Sequence, residues 1–243
     1  MIETIRGEDR DHWSNEWLSS RQSFPATGNF DLVANAHGVL LVHNDDIVEA
    51  GEGLDTHQHR DAEIVTWVLD GVLRHRDSAG NGGTLVPGVV QRMTAGRGIR
   101  HAEGNATGRL DGRPLRVVQM WVAPEHAGLE PGYAEHDFAD DLAEGRLVVV
   151  ASGMPEHAHT PAVSIANRHA ALHVAVLTDG QTATLPAAPF GHLYVARGRV
   201  DAVGIGRLDE GDAVRTTDAG ALDVTAVGGA EILYWEMHTS FAR

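Results

Sequence analysis

Runs rich in β-branched and aromatic residues recur along this chain at short intervals, each closed off by Gly, Asp, Asn or Pro. That punctuation narrows the fold more than any other feature. The runs include "GVLLVH" (38–43), "EIVTWVLDG" (63–71), "LVPGVVQRM" (85–93), "PLRVVQMWV" (114–122), "GRLVVVAS" (145–152), "LHVAVLTDG" (172–180), "HLYVARGRVDAVG" (192–204) and "AEILYWEMH" (230–238). Helical periodicity is scarce. "DRDHWSNEWLSS" near the start reads as a short helix, and "DFADDLAEG" at 137–145 as a short helix or a linker. The expectation is an all-β protein with few short helices.

The chain also repeats itself. "VTWVLDGVLRHRD" (65–77) and "LYVARGRVDAVG" (193–204) both run strand, glycine, strand, and "LVPGVV" (85–90) has a parallel in "LDEGDAV" (208–214). Gly71 and Gly198 are 127 positions apart, about the length of one small domain. Two β-barrels in tandem are expected, residues 1–135 and 136–243, meeting between Pro131 and Gly145.

Composition excludes several classes of function. Asp and Glu number 34 against 19 Lys and Arg, for a formal charge of −15, and the basic residues are scattered. Nucleic-acid affinity rests on neutralising phosphates, so direct DNA or RNA binding is disfavoured. There is no cysteine, which removes disulfides, thiolate nucleophiles and Cys-based zinc sites. No leader-like segment opens the chain and no apolar run is long enough for a membrane span, so the expected location is the cytoplasm. Histidine is abundant at 15, which directs attention to clusters, since imidazole is the commonest metal ligand.

One cluster lies in "GEGLDTHQHRDAEIVTWVLDG" (51–71), another in "TAGRGIRHAEGN" (94–105). Side chains two apart on a strand share a face, so His57 and His59 form one pair and His101 and Glu103 another. Two strands of a closed barrel can bring such pairs together around one point. Gly96 and Gly98 suit a tight turn that sets the depth of the second pair. The second half has Thr184 and Pro186 at the positions aligned with the first pair, so the trailing barrel is expected to lack metal ligands.

The stretch "GLDTHQHRDAEIVTWVLDGVLRHRDSAGNGGTLVPGVVQRMTAGRGIRHAE" strongly resembles the N-terminal signature of the pirin family, in particular its bacterial quercetin 2,3-dioxygenase-like members, over residues 40 to 125, with "WVAPEHAGLEPGY" extending the match to Tyr133. It also fits the wider cupin pattern: Gly51, His57-x-His59, Glu63, then Gly98-x-x-His101-x-x-x-Asn105. The resemblance implies a bicupin, two tandem jelly-roll-like barrels, with one mononuclear metal in the first. By motif position the implied ligands are His57, His59, His101 and Glu103, and Glu103 is also the implied catalytic base. Glu63, a ligand in many cupins, is not one in pirins and is given a supporting role. Gln58 stands where pirins usually carry proline, and its side chain is expected to point away from the metal. The stretch 17–32 is shorter and poorer in aromatics than its family counterpart, which helps cover the site.

The implied activity is ring opening of a flavonol with O2 by a divalent transition metal, iron foremost, with Ni, Cu, Zn, Mn and Co as alternatives. Two other readings stand beside it: a non-enzymatic, metal-responsive regulator that binds a protein partner, and another cupin enzyme acting on a different enolisable substrate. Neither involves nucleic acid or membrane directly, and a monomer is expected. Val65, Trp67, Met93, Met120 and Trp121 are candidates for the apolar wall of a phenolic pocket, with core packing favoured for each. His43 reads as a satisfied core histidine, His75 and His126 as exposed, His157-x-His159 as part of a surface loop, and Asp45 and Asp46 as turn residues. Imidazole ligation implies metal release as pH falls toward and below about 6.

Overall fold

The computed structural model describes residues 1–25 and 31–241; residues 26–30, inside the short stretch 17–32, lie outside it. Among the described residues the protein is built of β-strands, with one α-helix, Ala139–Leu142, within the segment expected to hold one. The leading half is two sheets face to face. A seven-stranded sheet runs, in spatial order, Gly132–Asp137, Val89–Thr94, Glu63–Asp70, Leu115–Val122, Leu40–Val48, Leu18–Gln22, Asp11–Ser14. Against it lies a four-stranded sheet of Gly53–His59, Ile99–Asn105, Leu73–Asp77 and Gly82–Leu85. The trailing half is organised around a nine-stranded sheet centred on the long strands Ala188–Ala202 and Leu222–Met237. The chain's first strand, Ile2–Ile5, adds to the edge of this trailing sheet, pairing antiparallel with Ala213 to Thr216.

The expected helix at "DRDHWSNEWLSS" is instead a hairpin, with Asp11–Ser14 paired to Leu18–Gln22. Asn15 explains the turn, because its Oδ1 accepts the backbone N–H groups of Trp17 and Leu18. A side chain that satisfies nearby amides in this way competes directly with helix formation. Asp45 and Asp46 also differ from expectation. They sit inside the strand Leu40–Val48 rather than in a turn.

Glu63–Asp70 is the strand that binds the halves together. Ile64, Val65, Trp67 and Val68 are all buried, and so is nearly every position of the strand, because both of its faces are covered. Val65, Trp67 and Leu69 join Val118 and Met120 in a core shared with Leu172, Tyr194, Leu233 and Trp235 of the trailing half. Trp67 Nε1–H donates to Glu231 Oε1 at 2.7 Å across that junction. Val65, Trp67 and Met120 are therefore core residues and not pocket wall. Ile64 and Met93 occupy the opposite face, where they pack with Ile99 and Trp121 near the four-stranded sheet. Glu63 is fully buried and ties the halves as well, accepting from Thr94 Oγ1 and from the Ala166 backbone N–H.

Candidate metal centre

The inner face of the four-stranded sheet follows the two-residue alternation of its strands. On Ile99–Asn105 the residues Ile99, His101, Glu103 and Asn105 are buried, while Arg100 is exposed. His101 is registered against His57 on one side and Asp77 on the other. Glu103 is registered against His75. The turn delivering this strand needs glycine. Gly96 has φ +48° and a Cβ there would lie 2.1 Å from the Leu129 carbonyl oxygen, and Gly98 has φ +134°.

Three imidazoles converge. Ring centroids are 4.7 Å apart for His57 and His59, 4.4 Å for His57 and His101, and 4.9 Å for His59 and His101. One donor atom from each lies within 4.8 Å of the others. Gln58, between the first two, is exposed as expected. His57 Nδ1 is 2.8 Å from the Asp55 carbonyl oxygen, which can only accept, so Nδ1 carries the proton and Nε2 keeps a free lone pair. Trp121 packs edge-on against His59 at 4.6 Å.

The donors fit a cation on the evidence of their own lone pairs. His59 Nε2 and both ring nitrogens of His101 are buried without any hydrogen-bond partner, an arrangement that costs about 1–3 kcal/mol per group unless something else engages it. Burial, with the neighbouring imidazoles of His101 and His57, pushes His59 down to about 3. Burial likewise outweighs the nearby Glu103 carboxylate and lowers His101 to about 4. Both rings are neutral at physiological pH, the form that ligates.

Glu103 is not part of that triad. Between His101 and Glu103 the pairing with Gly53–His59 slips by a β-bulge, leaving Glu103 opposite Leu54. Gly53 crosses Gly104 so closely that a Cβ on it would lie 2.4 Å from the Gly104 Cα. The Glu103 carboxylate instead forms a second convergent set with His75 and His101, its donor atoms again within 4.8 Å of one another. Gln119 Nε2 donates to Glu103 Oε2 at 2.6 Å, and Trp121 Nε1–H to Gln119 Oε1 at 3.2 Å. His75 Nδ1 is 3.4 Å from Glu103 Oε1. Burial opposes the charge on Glu103, but His75, His101 and Gln119 together hold it below the usual glutamate range.

His75 was expected in solvent and is fully buried; it and Gln119 are the site residues that sequence reading missed. The signal was present in "LRHRD", where Leu73, His75 and Asp77 alternate with Arg74 and Arg76. Other histidines stay apart from the site. His126 is exposed. His43 is buried between His192 and Tyr194, with ring centroids 4.6 and 4.7 Å away, but neither of its ring nitrogens is hydrogen-bonded, so it is a core residue without being a satisfied one. In the trailing half, His157 Nδ1 meets Ser152 Oγ at 2.9 Å beside a surface turn. Both convergent donor sets found among the described residues lie in the leading half.

The pirin family model matches residues 6–122. The chain is 47% identical, over 98% of its length and 95% of the relative's, to a Mycobacterium tuberculosis protein named "Putative quercetin 2,3-dioxygenase". The chain belongs to the pirin family. It is also 31% identical to the quercetin 2,3-dioxygenase of Escherichia coli, over 98% of this chain and 99% of that one. Among solved structures it resembles the bacterial pirin YhhW from E. coli in complex with nickel(II), with a TM-score of 0.86 at 29% identity, covering 98% of this pirin and 100% of YhhW. The all-β bicupin expectation therefore holds. No helix among the described residues is long and apolar enough to cross a membrane.

Proposed function

We propose that this pirin is a metal-dependent dioxygenase that opens the ring of a flavonol-like phenolic with O2. The observation that carries the reading is the convergence of His57, His59 and His101 with unpartnered ring nitrogens. The names of its relatives support the substrate class, and the nickel complex of YhhW supports the binding of a divalent metal. His57, His59 and His101 would hold the ion, with Glu103 as the carboxylate at its side.

A divalent cation, iron foremost, would supply positive charge that lowers the pKa of a phenolic hydroxyl. Glu103 is the base for that proton. A carboxylate offers about four acceptor positions, and His75 and Gln119 occupy one on each oxygen, so each oxygen retains one. Gln119 fixes the plane of the carboxylate and is itself steadied by Trp121. Trp121, partly buried and packed on His59, provides the apolar surface against which a flat ring would lie, with Met93 in the core behind it.

The test is incubation with quercetin under air of protein loaded in turn with Fe, Cu, Ni, Mn and Co, following flavonol absorbance and carbon monoxide together. The reading expects loss of absorbance with matching carbon monoxide for at least one metal. No turnover with any of them overturns it.

A further inference from the structure

His75 lies wholly inside the leading barrel with a carboxylate at each ring nitrogen: Glu103 Oε1 is 3.4 Å from Nδ1 and Asp77 Oδ2 is 3.7 Å from Nε2. Asp77 is an anchored partner. Its Oδ1 accepts the backbone N–H groups of Ala79 and Asn81, and its Oδ2 accepts Asn81 Nδ2, each at 2.9 Å. The ring is further confined by Tyr133, 5.3 Å away, and His101, 5.4 Å away. Strand register sets this stacking, with His75 opposite Glu103 and Asp77 opposite His101.

We propose that His75 is a positioning residue: confined between Tyr133 and His101, it donates through Nδ1–H to Glu103 Oε1 and fixes where the Glu103 carboxylate stands relative to the three-imidazole cluster. The alternative, that His75 is itself a ligand, fits less well. Its Nδ1 hydrogen-bonds to Glu103 Oε1, and its Nε2, itself without a hydrogen bond, faces Asp77 Oδ2 at 3.7 Å, whereas neither ring nitrogen of His101 is hydrogen-bonded and its Nδ1 lies 3.9 Å from Glu103 Oε1. The β-bulge makes such a brace necessary. It puts Glu103 out of step with the strand of His57 and His59, so strand geometry alone does not aim the carboxylate at them. Residues that orient a ligand from behind typically change metal affinity 10–100-fold when removed.

This inference rests on the metal-centre reading above, and its test needs no turnover. Nickel(II) is titrated into metal-free protein by competition with a chelator, and its d–d absorption is recorded, for wild type, His75→Asn, His75→Leu, Glu103→Ala and the His75→Leu/Glu103→Ala double variant. Circular dichroism checks each fold. His75→Leu is expected to weaken nickel binding by about 10–100-fold and shift the spectrum, and His75→Asn, whose Nδ2 takes the place of Nδ1 as donor, to restore affinity to within about threefold. In the Glu103→Ala background His75→Leu should add nothing, because the residue it acts through is gone. If His75→Leu fails to fold, His75→Phe, which keeps a ring but has no donor, replaces it with the same expectations. Unchanged nickel affinity in His75→Leu, or an equal loss with and without Glu103, overturns the proposal alone. A wild type that binds no nickel removes this proposal and the metal centre together.

Discussion

Gln119 and Glu103 are joined side chain to side chain across the leading barrel, Nε2 to Oε2 at 2.6 Å, and this contact connects the four-stranded sheet that carries the imidazoles to the seven-stranded sheet behind it. The amide is oriented in turn by Trp121, whose ring also packs on His59. One glutamine thus links the carboxylate, the aromatic wall and an imidazole.

Replacing Gln119 with Leu keeps the volume roughly constant but removes a hydrogen bond to a charged group, a loss of about 1.5–3 kcal/mol. The expected result is a lower thermal midpoint and a slower turnover of flavonol. Gln119→Glu should be worse for activity, since two carboxylates at this distance compete for one proton. Calorimetry together with steady-state kinetics checks both; a Gln119→Leu protein as active as wild type contradicts the role given to the amide.

His101 belongs to both donor sets. His101→Ala is therefore expected to abolish tight metal binding while far-ultraviolet circular dichroism stays that of a β-protein. Elemental analysis of untagged protein measures the outcome, and unchanged metal content would contradict the assignment.

Acid sensitivity follows from His59 and His101, pushed to about 3 and about 4 mainly by burial. An unfolded histidine titrates near 6.5, so between that value and about 4 the unfolded chain binds more protons than the folded one. Stability then rises with pH across this window. The contribution is fully present above about 6.5 and drains away as pH falls toward 4. The same shifts move proton competition for the imidazoles below the pH 6 that an ordinary histidine would set. A denaturation series on metal-free protein from pH 7 to 4 should show the decline, and His59→Gln should flatten it.

Asp46 has the opposite sign. Part of the residue is accessible, but its Oδ1 is sealed off without a partner, and burial, together with the nearby Asp45 and Glu103 charges, outweighs the Ser20 hydrogen bond and raises the group to about 7. The folded state therefore holds this proton more tightly than the unfolded one, and stability is lost as pH rises through 7. Asp46→Asn should raise the thermal midpoint at pH 8 by roughly 2–4 °C for each kcal/mol recovered, and by less at pH 5. Equal shifts at the two values would show that ionisation is not the cause.

The features legible in the sequence were those carried by alternation within one strand. His57 with His59, and His101 with Glu103, could be paired because a two-residue period fixes their face. The bulge that separates Glu103 from His57 could not be read, since it depends on how two strands slip past each other. His75 was passed over because its partners, Glu103 and Asp77, are brought together by cross-strand register and a loop anchor. The hairpin at 11–22 was mistaken for a helix because the turn is made by a single asparagine side chain. Asp45 was likewise hidden in a strand, where Arg116 and Tyr194 hold it from different parts of the chain.

The strand Glu63–Asp70 serves two interiors at once, sending alternate side chains toward the imidazoles and toward the trailing half. Expressed alone, an excised leading half would leave Val65, Trp67, Leu69, Val118 and Met120 bare to water, a sticky surface that invites aggregation. Shrinking this pirin to the half that carries the imidazole cluster therefore requires repainting that wall with polar residues first.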